Sequence, residues 1–439
     1  MKKYHIIFLS FLFVFFLIIL SIHFFYRTPV QTYTFSYICS SIIFLILSII
    51  ILKYEFGKNI ILISALSGII LRISFITTTP IGSDDIYRYM WDGKVQSMGI
   101  NPYQYAPIDS NLASLHSDIL PAKVNFPNLK TIYFPFSQWI FFIGYNLSGE
   151  HVWGYKLLLL IFDLFTILTL YNVLKLSEKS TKLILLYILC PLPTFQFAID
   201  SHLDGYGLLL IVLSILFYYK KKLSLSLIFL GLSFSIKPVG ILLMPILFFR
   251  EKLVIDKLKI IFIPFITFFV QFIPYIFSSN PFESLFIYAK HWSFNGSIFS
   301  LLNSFIEHNQ KTRIVCAILF LLTLIPVYFK KFDSIKKFYY SILLLFIFSP
   351  VVHPWYISWL TVLIPLIPVW SGIMYSSLSS LTAFTILSYQ LNGVWKEYTL
   401  VLLVEYIPVI LFMLLELGLF GKITNWKQNN LLFRNIMED

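Results

Sequence analysis

Two adjacent carboxylates, Asp84 and Asp85, stand in the most polar stretch of an otherwise apolar chain, GSDDIYRYMWDGK at 82–94. A carboxylate pair can accept a proton as a general base, or it can hold a divalent cation such as Mg²⁺ or Mn²⁺. Arg88 follows on the same helical face, and a guanidinium can bind a phosphate through two parallel hydrogen bonds. We therefore expect Asp84 and Asp85 to be catalytic or metal-binding, and Arg88 to bind phosphate. The plainer alternative is helix capping with a solvated Asp85–Arg88 ion pair.

The spacing within this stretch predicts a helix that lies on the membrane surface. Ser83 is a suitable N-cap residue, and Asp84 and Asp85 suit the first turn, where the helix dipole stabilises negative charge. Apolar side chains recur at helical spacing and predict one face that rests on the bilayer. These apolar positions are Ile86, Met90 and Trp91. The turn at 99–103 (GINPY) ends the predicted helix.

Lys237 precedes Pro238 in the middle of the apolar stretch 223–249, with no acidic residue close by in sequence. A lone ammonium group inside a membrane is costly, so it must face water, a counter-ion or a substrate. One interpretation is a side chain that extends to the outer membrane surface. The other is a cation that binds a substrate phosphate.

The remaining polar and aromatic candidates gather near the ends of apolar runs, where they would meet a substrate at the membrane surface. Instead of contacting a substrate, residues 200–204 could form a plain polar turn, and the aromatic residues at 353–356 could be ordinary membrane-interface residues. The mixed aromatic and amide stretch 291–297 suits stacking and hydrogen bonding to a sugar. The predicted substrate contacts are Tyr87, Asp92, Asn101, Tyr103, His202, Asp204, His291, Trp292, Asn295, His353, Trp355 and Tyr356.

The composition shows what kind of protein must position these groups. Of 439 residues, 58% are hydrophobic and only 12% are charged, whereas a soluble domain carries roughly 25% charged residues. The chain is therefore a polytopic membrane protein. Its net charge of +12 comes from short basic clusters between apolar runs, which argues against a nucleic-acid partner. Three scattered cysteines exclude a disulfide framework or a cysteine-rich zinc site, and no phosphate-binding glycine loop supports a cytosolic nucleotide cofactor.

The apolar runs predict an all-α integral membrane protein with about 12–14 transmembrane helices, each near the roughly 20 residues that cross a bilayer. The candidate spans are 5–25, 33–52, 59–77, 153–174, 183–199, 203–219, 223–236, 238–249, 260–278, 312–329, 338–352, 355–370, 373–391 and 398–420. The spans 223–236 and 238–249 are short and could be one hairpin broken at Lys237-Pro238. Residues 134–149 are also apolar, but a span there would invert everything downstream, so an interfacial or re-entrant helix is expected.

Lysine and arginine predict the orientation of these spans. Placing the basic clusters in the cytoplasm puts 21 of 33 basic residues inside with only 7 of 21 acidic ones, and both termini then lie inside. The excess positive charge is therefore a topology signal, and the polar candidates all lie on the outer side of the cell membrane. The predicted divisions are N-terminal spans at 1–77, an outer loop with the acidic motif at 78–152, a transmembrane bundle at 153–420 and a cytoplasmic tail at 421–439.

Eight stretches resemble, in order, the GT-C class of multi-span glycosyltransferases that use polyprenyl-phosphate-linked sugars. The likeness is greatest to a bacterial mannosyltransferase-like group. The stretches are GSDDIYRYMWDGKVQSMGINPYQYAP (82–107), TIYFPFSQ (131–138), VWGYKLLLLIFDL (152–164), DSHLDGYGLLL (200–210), SIKPVGILLMP (235–245), YAKHWSFNGSIFSLL (288–302), SPVVHPWYISWL (349–360) and GVWKEYTLVLLVEY (393–406).

The resemblance implies a GT-C-like helix bundle with interfacial helices in its first large outer loop. It implies that Asp84 matches the catalytic aspartate and Lys237 the lysine before the broken span. The family's polar turn matches 202–204, where Leu203 replaces the usual asparagine, and its Tyr-Pro-Pro pattern matches 133–135 with one proline lost.

The implied reaction moves mannose or another hexose from a polyprenyl-phosphate donor to a glycan or lipid-linked acceptor on the extracytoplasmic face. Asp84 or Asp85 would deprotonate the acceptor hydroxyl, while Arg88 and Lys237 stabilise the departing phosphate. A divalent cation on the acidic pair is compatible with this chemistry, and the resemblance does not require one. A transporter or lipid-linked-sugar flippase is the main alternative, and a noncatalytic assembly protein is another.

Overall fold

Residues 3–25, 27–277 and 279–419 are described by a computed structural model, and the regular structure in these ranges is helical. Within them no β-strand forms, and a single parallel bridge joins Phe294 to Val351. The all-α class predicted from the sequence is confirmed. The predicted cytoplasmic tail at 421–439 lies outside the described residues.

The helices follow one another with short connections except in the long outer loop. In chain order they are α1 Lys3–Phe24, α2 Pro29–Lys53, α3 Lys58–Ile73, α4 Asp85–Ser97, α5 Pro135–Ser148, α6 Trp153–Leu176, α7 Leu185–Ile188, α8 Pro191–Pro193, α9 Asp204–Tyr219, α10 Leu223–Phe234, α11 Leu243–Arg250, α12 Val254–Val270, α13 Glu283–His291, α14 Ser297–Ile306, α15 Asn309–Phe329, α16 Ser334–Phe348, α17 Pro354–Thr361, α18 Trp370–Leu378, α19 Ala383–Asn392 and α20 Thr399–Glu416. Five further turns are 3₁₀ or π helical: Ser110–Leu115, Thr181–Ile184, Thr194–Ile199, Pro238–Leu242 and Ser379–Thr382.

Among the described residues, the helices α1, α2, α6, α15 and α20 are long and apolar enough to cross a membrane. The pair Thr181–Ile188 and Pro191–Ile199 passes the same test together, with a bend of 48° between its halves. Pro191 explains the break, because proline has no backbone N–H and cannot continue the preceding helix. The multi-span character is thus confirmed, and the count of about 12–14 spans stays a prediction.

The expected break at Lys237-Pro238 is present. Helix α10 ends at Phe234, and a 3₁₀ turn begins at Pro238 before α11 continues the apolar stretch. Lys237 therefore lies at an interruption of the helix.

The outer loop folds onto the bundle through α4 and α5. A Cβ atom on Gly93 would lie 2.3 Å from the Phe141 carbonyl oxygen, so glycine permits the close approach of the two helices. Tyr89 stacks on Phe141 with ring centroids 4.5 Å apart. The prediction that the apolar face of α4 rests on the bilayer is wrong, because this face is buried inside the protein. Its members are Ile86, Met90 and Trp91.

Two charged side chains inside the bundle have protein partners. Asp163 on α6 accepts a hydrogen bond from Nε of Arg72 at 2.7 Å and another from the Tyr187 hydroxyl at 2.6 Å. Glu405 on α20 accepts one from the Asn295 side-chain amide at 3.1 Å. These contacts join helices that are distant in sequence and hold the bundle around the site.

Candidate active site

A cavity of about 490 Å³ lies between the outer loop and the helices of the bundle. It collects most of the side chains that the sequence singled out as chemically important. The predicted residues that line it are Asp84, Asp85, Arg88, Asp204, Lys237, Trp292, His353, Trp355 and Tyr356. The structure therefore brings together groups from α4, α9, the break after α10 and the start of α17.

The position of the acidic pair is set by a buried carboxylate behind it. Asp200 accepts hydrogen bonds from the backbone N–H groups of Ile81 and Gly82, at 3.0 and 2.8 Å, and from the Tyr33 hydroxyl at 2.5 Å. A Cβ atom on Gly82 would lie 2.5 Å from Oδ2 of Asp200, so only glycine fits this turn. The backbone that leads into the acidic pair is thereby tied to α2 and to the turn before α9.

Ser83 does not cap α4 as the sequence predicted. Its hydroxyl oxygen accepts a hydrogen bond from the Asp85 backbone N–H at 3.2 Å, and Asp84 occupies the N-cap position. The Asp84 side chain makes no capping hydrogen bond. Because the Asp84 carboxylate does not cap the helix, it is available to a ligand in the cavity.

The two carboxylates have different environments. Asp84 is exposed to the cavity, and partial desolvation together with the charges of Asp85 and Asp200 raises its pKa. Burial alone would also raise the pKa of Asp85, but its contact with His202 reverses the direction and lowers that pKa. Oδ2 of Asp85 lies 3.4 Å from Nδ1 of His202. A pair split in this way has one member suited to accept a proton and one that stays ionised.

Aromatic rings form a continuous stack beside the acidic pair. His202 stacks on Trp355 with centroids 3.6 Å apart, Trp355 on His353 at 4.2 Å, and His353 on Phe294 at 4.6 Å. Nε1 of Trp292 donates to Nε2 of His353 at 3.3 Å. The imidazole of His202 is buried under Trp355 and does not line the cavity, so it supports Asp85 from behind.

Lys237 finds its counter-ion on a different helix. Its Nζ atom lies 2.6 Å from Oδ1 of Asp204 at the start of α9, and Nε1 of Trp359 donates to the same oxygen at 2.7 Å. The ammonium also lies 3.1 Å from the centroid of the Tyr356 ring. Lysine, carboxylate and ring thus form one unit, and Lys237 still opens onto the cavity with 20% of its side chain exposed.

Arg88 pairs with Asp92 and not with Asp85. Its Nε atom lies 3.1 Å from Oδ1 of Asp92, and an Nη atom donates to the Leu129 carbonyl at 2.8 Å. Asp92 is buried and also accepts from the Gln138 side chain at 2.9 Å. The surface Asp85–Arg88 ion pair considered from the sequence is therefore not formed, and Asp85 is left to His202.

Several predicted contact residues lie outside the cavity lining and have protein partners of their own. The Asn101 amide donates to the Tyr275 carbonyl at 3.1 Å, and the Tyr103 hydroxyl donates to the Tyr133 carbonyl at 2.7 Å. The Asn295 backbone N–H donates to Glu397 at 2.7 Å. The full set away from the lining is Tyr87, Asp92, Asn101, Tyr103, His202, His291 and Asn295. A direct contact of these residues with a sugar stays a prediction.

Other lining residues were missed in the sequence. Lys130 adds a cation to the lining and is paired with Glu283 on α13 at 2.9 Å. Tyr33 and Tyr37 lie on α2, inside an apolar run that carries no local signal of a site. Trp395 belongs to a stretch that resembles the family, and its aromatic type beside amide residues could have marked it.

The acidic pair alone does not make a complete cation site. Across residues 3–25, 27–277 and 279–419, no three His, Cys, Asp or Glu side chains converge as metal ligands. Asp84 and Asp85 would need phosphate and water oxygens to complete the shell of Mg²⁺ or Mn²⁺. A divalent cation here stays a prediction, and the chemistry derived below does not depend on it.

Family models match most of the chain. The model described as Alpha-(1->6)-mannopyranosyltransferase, N-terminal domain, matches residues 29–250, and the MptB C-terminal domain matches residues 296–416. The chain belongs to the alpha-(1->6)-mannopyranosyltransferase family. It is a membrane glycosyltransferase, and the mannosyltransferase resemblance of its sequence is confirmed. Of the predicted residues that line the cavity, all but Trp292 lie within the two matched regions.

One solved structure is similar across the length of this glycosyltransferase. It is the crystal structure of ArnT from Cupriavidus metallidurans bound to undecaprenyl phosphate, with 14% sequence identity and a TM-score of 0.46. The similarity covers 86% of this chain and 73% of that one. No curated protein matches the sequence significantly.

Proposed function

We propose that this glycosyltransferase moves a mannosyl residue from a polyprenyl-phosphate donor to an acceptor hydroxyl, in alpha-(1->6) linkage. The acceptor is a glycan or a lipid-linked glycan on the extracytoplasmic face of the cell membrane. The observation that carries the proposal is the single cavity that holds Asp84, Asp85 and Lys237 in a membrane-embedded helix bundle. The linkage comes from the description of the family that the chain belongs to.

Asp84 is the proposed general base. It faces the cavity, and the raised pKa of its carboxylate increases its affinity for a proton. The acceptor oxygen attacks the anomeric carbon, and its proton passes to Asp84. The bond from that carbon to the phosphate oxygen breaks, and its electron pair leaves with the polyprenyl phosphate. Asp85 stays ionised against His202 and supports the positive character that develops on the sugar ring.

Lys237 is the proposed partner of the leaving phosphate, with Arg88 as a second cation. Both side chains line the cavity that also holds Asp84 and Asp85. Negative charge grows on the phosphate as its bond to the sugar breaks, so a fixed cation there lowers the barrier. The Asp204 contact at 2.6 Å holds the Lys237 ammonium in place until a phosphate arrives.

The lipid part of the donor has an apolar wall to lie against. Phe134, Ile236, Pro238 and Leu285 line the same cavity as Lys237, and Ile236 and Pro238 flank it in the chain. Phe134 continues outward into a cluster of aromatic rings from α12 and the segment before α13, with centroid distances of 5.3–6.0 Å. An isoprenoid chain could therefore leave a phosphate at Lys237 and run along apolar side chains toward the bilayer.

The stereochemistry follows from the single displacement. Attack by the acceptor opposite the leaving group inverts the anomeric carbon, whereas retention would require a covalent intermediate on a second carboxylate. An alpha-linked product therefore requires a beta-linked mannosyl phosphate donor.

The basic residues on the predicted inner side support a site that opens to the outside.

The proposal is tested with purified protein in liposomes, a radiolabelled polyprenyl beta-phosphomannose and an octyl alpha-mannoside acceptor. We expect a labelled disaccharide product with an alpha-(1->6) linkage, identified by mannosidase digestion and NMR. Asp84→Asn should slow its formation by about two to four orders of magnitude, whereas Asp118→Asn should not, since Asp118 is exposed in the same outer loop and outside the cavity. Full transfer by both Asp84→Asn and Asp85→Asn would overturn the proposal. Lipid or sugar translocation without transfer would favour the flippase or transporter alternative.

A further inference from the structure

A group of partly exposed aromatic side chains lines the cavity, on α19 and the loop that follows it. Trp395 contacts the rings of Phe294, Tyr389 and Trp292 at centroid distances of 5.2, 5.7 and 6.2 Å. Trp395 is 38% exposed and Tyr389 49% exposed, although both are large and mostly apolar. Nothing in the proton transfer or the departure of the phosphate uses them.

We propose that Trp395, Tyr389 and Gln390 form the subsite that binds the acceptor glycan. The inference rests on the proposed function and names where the acceptor half of that reaction lies. The CH groups of a pyranose ring stack on aromatic faces, and its hydroxyl groups need amide or hydroxyl partners. Trp395 and Tyr389 supply the faces, and Gln390 lies between them with a side-chain amide on the cavity lining.

We call Trp395, Tyr389 and Gln390 the platform. It is joined to the segment that carries the proposed base. The Gln390 side-chain amide donates to the carbonyl oxygen of Ile81, three residues before Asp84. Trp395, Gln390 and Asp84 line the same cavity, so a sugar stacked on Trp395 shares that space with the proposed base. The acceptor hydroxyl and its base must meet there, and the Gln390–Ile81 hydrogen bond links the two segments that carry them.

Hydrogen bonds hold the platform in shape before any ligand binds. The Thr385 hydroxyl donates to the Lys396 carbonyl at 2.8 Å, and Glu397 accepts from the Asn295 backbone N–H at 2.7 Å. The Phe294 backbone N–H donates to the Pro350 carbonyl at 3.0 Å, and the Phe294 carbonyl accepts from the Val352 N–H at 2.8 Å. These bonds join Phe294 to the segment before α17. A preformed surface loses little conformational entropy on binding, which suits recognition of a flexible glycan.

The platform also differs from aromatic side chains that only anchor a protein at the bilayer surface. Trp153 at the start of α6 has the same 38% exposure as Trp395 but does not line the cavity. Trp395 packs on Phe294, which is one end of the ring stack beside the acidic pair. Trp395 also lines the cavity that holds Asp84 and Asp85, which bilayer anchoring alone does not require.

The test compares the acceptor KM of Trp395→Ala and Tyr389→Ala with that of Trp153→Ala, using octyl alpha-mannoside and the corresponding alpha-(1->6)-mannobioside. We expect about a tenfold higher acceptor KM for the two platform variants, with the donor KM unchanged. Trp395→Phe should recover most of the affinity because it keeps an aromatic face. Trp153→Ala should behave like the wild type.

The outcomes separate this inference from the proposed function. If the wild-type protein forms no disaccharide, the proposed function fails and the subsite with it. If the wild type transfers mannose and both platform variants keep its acceptor KM, the subsite is overturned alone. An equal rise in KM for Trp153→Ala would also overturn it, since membrane anchoring would then explain the effect.

Discussion

Oδ2 of Asp85 lies 3.4 Å from Nδ1 of His202, and among the described residues the neighbouring Asp84 has no ion-pair partner. Two carboxylates that follow one another in the chain therefore sit in unequal surroundings. The pKa of Asp85 is lowered by the imidazole, and the pKa of Asp84 is raised by partial desolvation and by the charge of Asp85 itself. This difference assigns them separate tasks and leads to predictions that a symmetrical pair would not.

Asp84→Asn should reduce the rate of mannosyl transfer by about two to four orders of magnitude, since a positioned general base contributes that much. The amide cannot accept the proton of the acceptor hydroxyl, although its size and shape are nearly unchanged. The measurement is kcat with the beta-phosphomannose donor in liposomes. Asp118→Asn should keep the wild-type rate, and a similar loss in that control would point to general damage of the outer loop.

Asp85→Asn should shift the acidic limb of the pH–rate profile to lower pH. The charge of Asp85 raises the pKa of Asp84, so its removal lowers that pKa and lets the base ionise at lower pH. The maximal rate should also fall, because the negative charge beside the sugar ring is lost. An acidic limb that stays in place or moves to higher pH would contradict the assignment of Asp84 as the base.

Lys237→Met should destabilise the protein by about 3–5 kcal/mol, because it leaves the buried Asp204 carboxylate without its counter-ion. The double variant Lys237→Met/Asp204→Asn should recover much of the stability, as followed by thermal unfolding in detergent. It should not recover transfer, since the phosphate partner is still missing. Wild-type transfer by the double variant would remove Lys237 from the proposed mechanism.

Gly82→Ala should lower kcat by about 100-fold, in line with the cost of a small displacement of catalytic groups. The added Cβ atom would lie 2.5 Å from Asp200 Oδ2 and 2.6 Å from the Tyr33 hydroxyl, which forces the turn before Asp84 to move. Gly57→Ala is the matched control, because a Cβ atom there meets nothing within 4 Å. Equal rates for the two variants would show that the Asp200 anchor does not position the base.

Much of the site could be found in the sequence because its residue types are rare in this chain. A charged side chain inside or beside an apolar run must have a reason to be there, so Asp84, Asp85 and Lys237 stood out against their surroundings. Tyr33 and Tyr37 could not be found in this way, because a tyrosine within an apolar helix is ordinary. The surface of α4 was misjudged for a related reason. Its apolar spacing shows that one face is buried, but spacing does not tell lipid from protein.

The membrane class, a predicted orientation, the helix break at Pro238 and the family can be inferred from the sequence, because they depend on composition, charge and the local order of residues. Which groups act together follows from the packing of the helices. Arg88 pairs with Asp92, Lys237 pairs with Asp204, and His202 contacts Asp85. Partners of this kind come from helices far apart in the chain, and their choice depends on the packing that brings two side chains within about 3 Å. The charge and spacing of residues along one segment do not predict that packing.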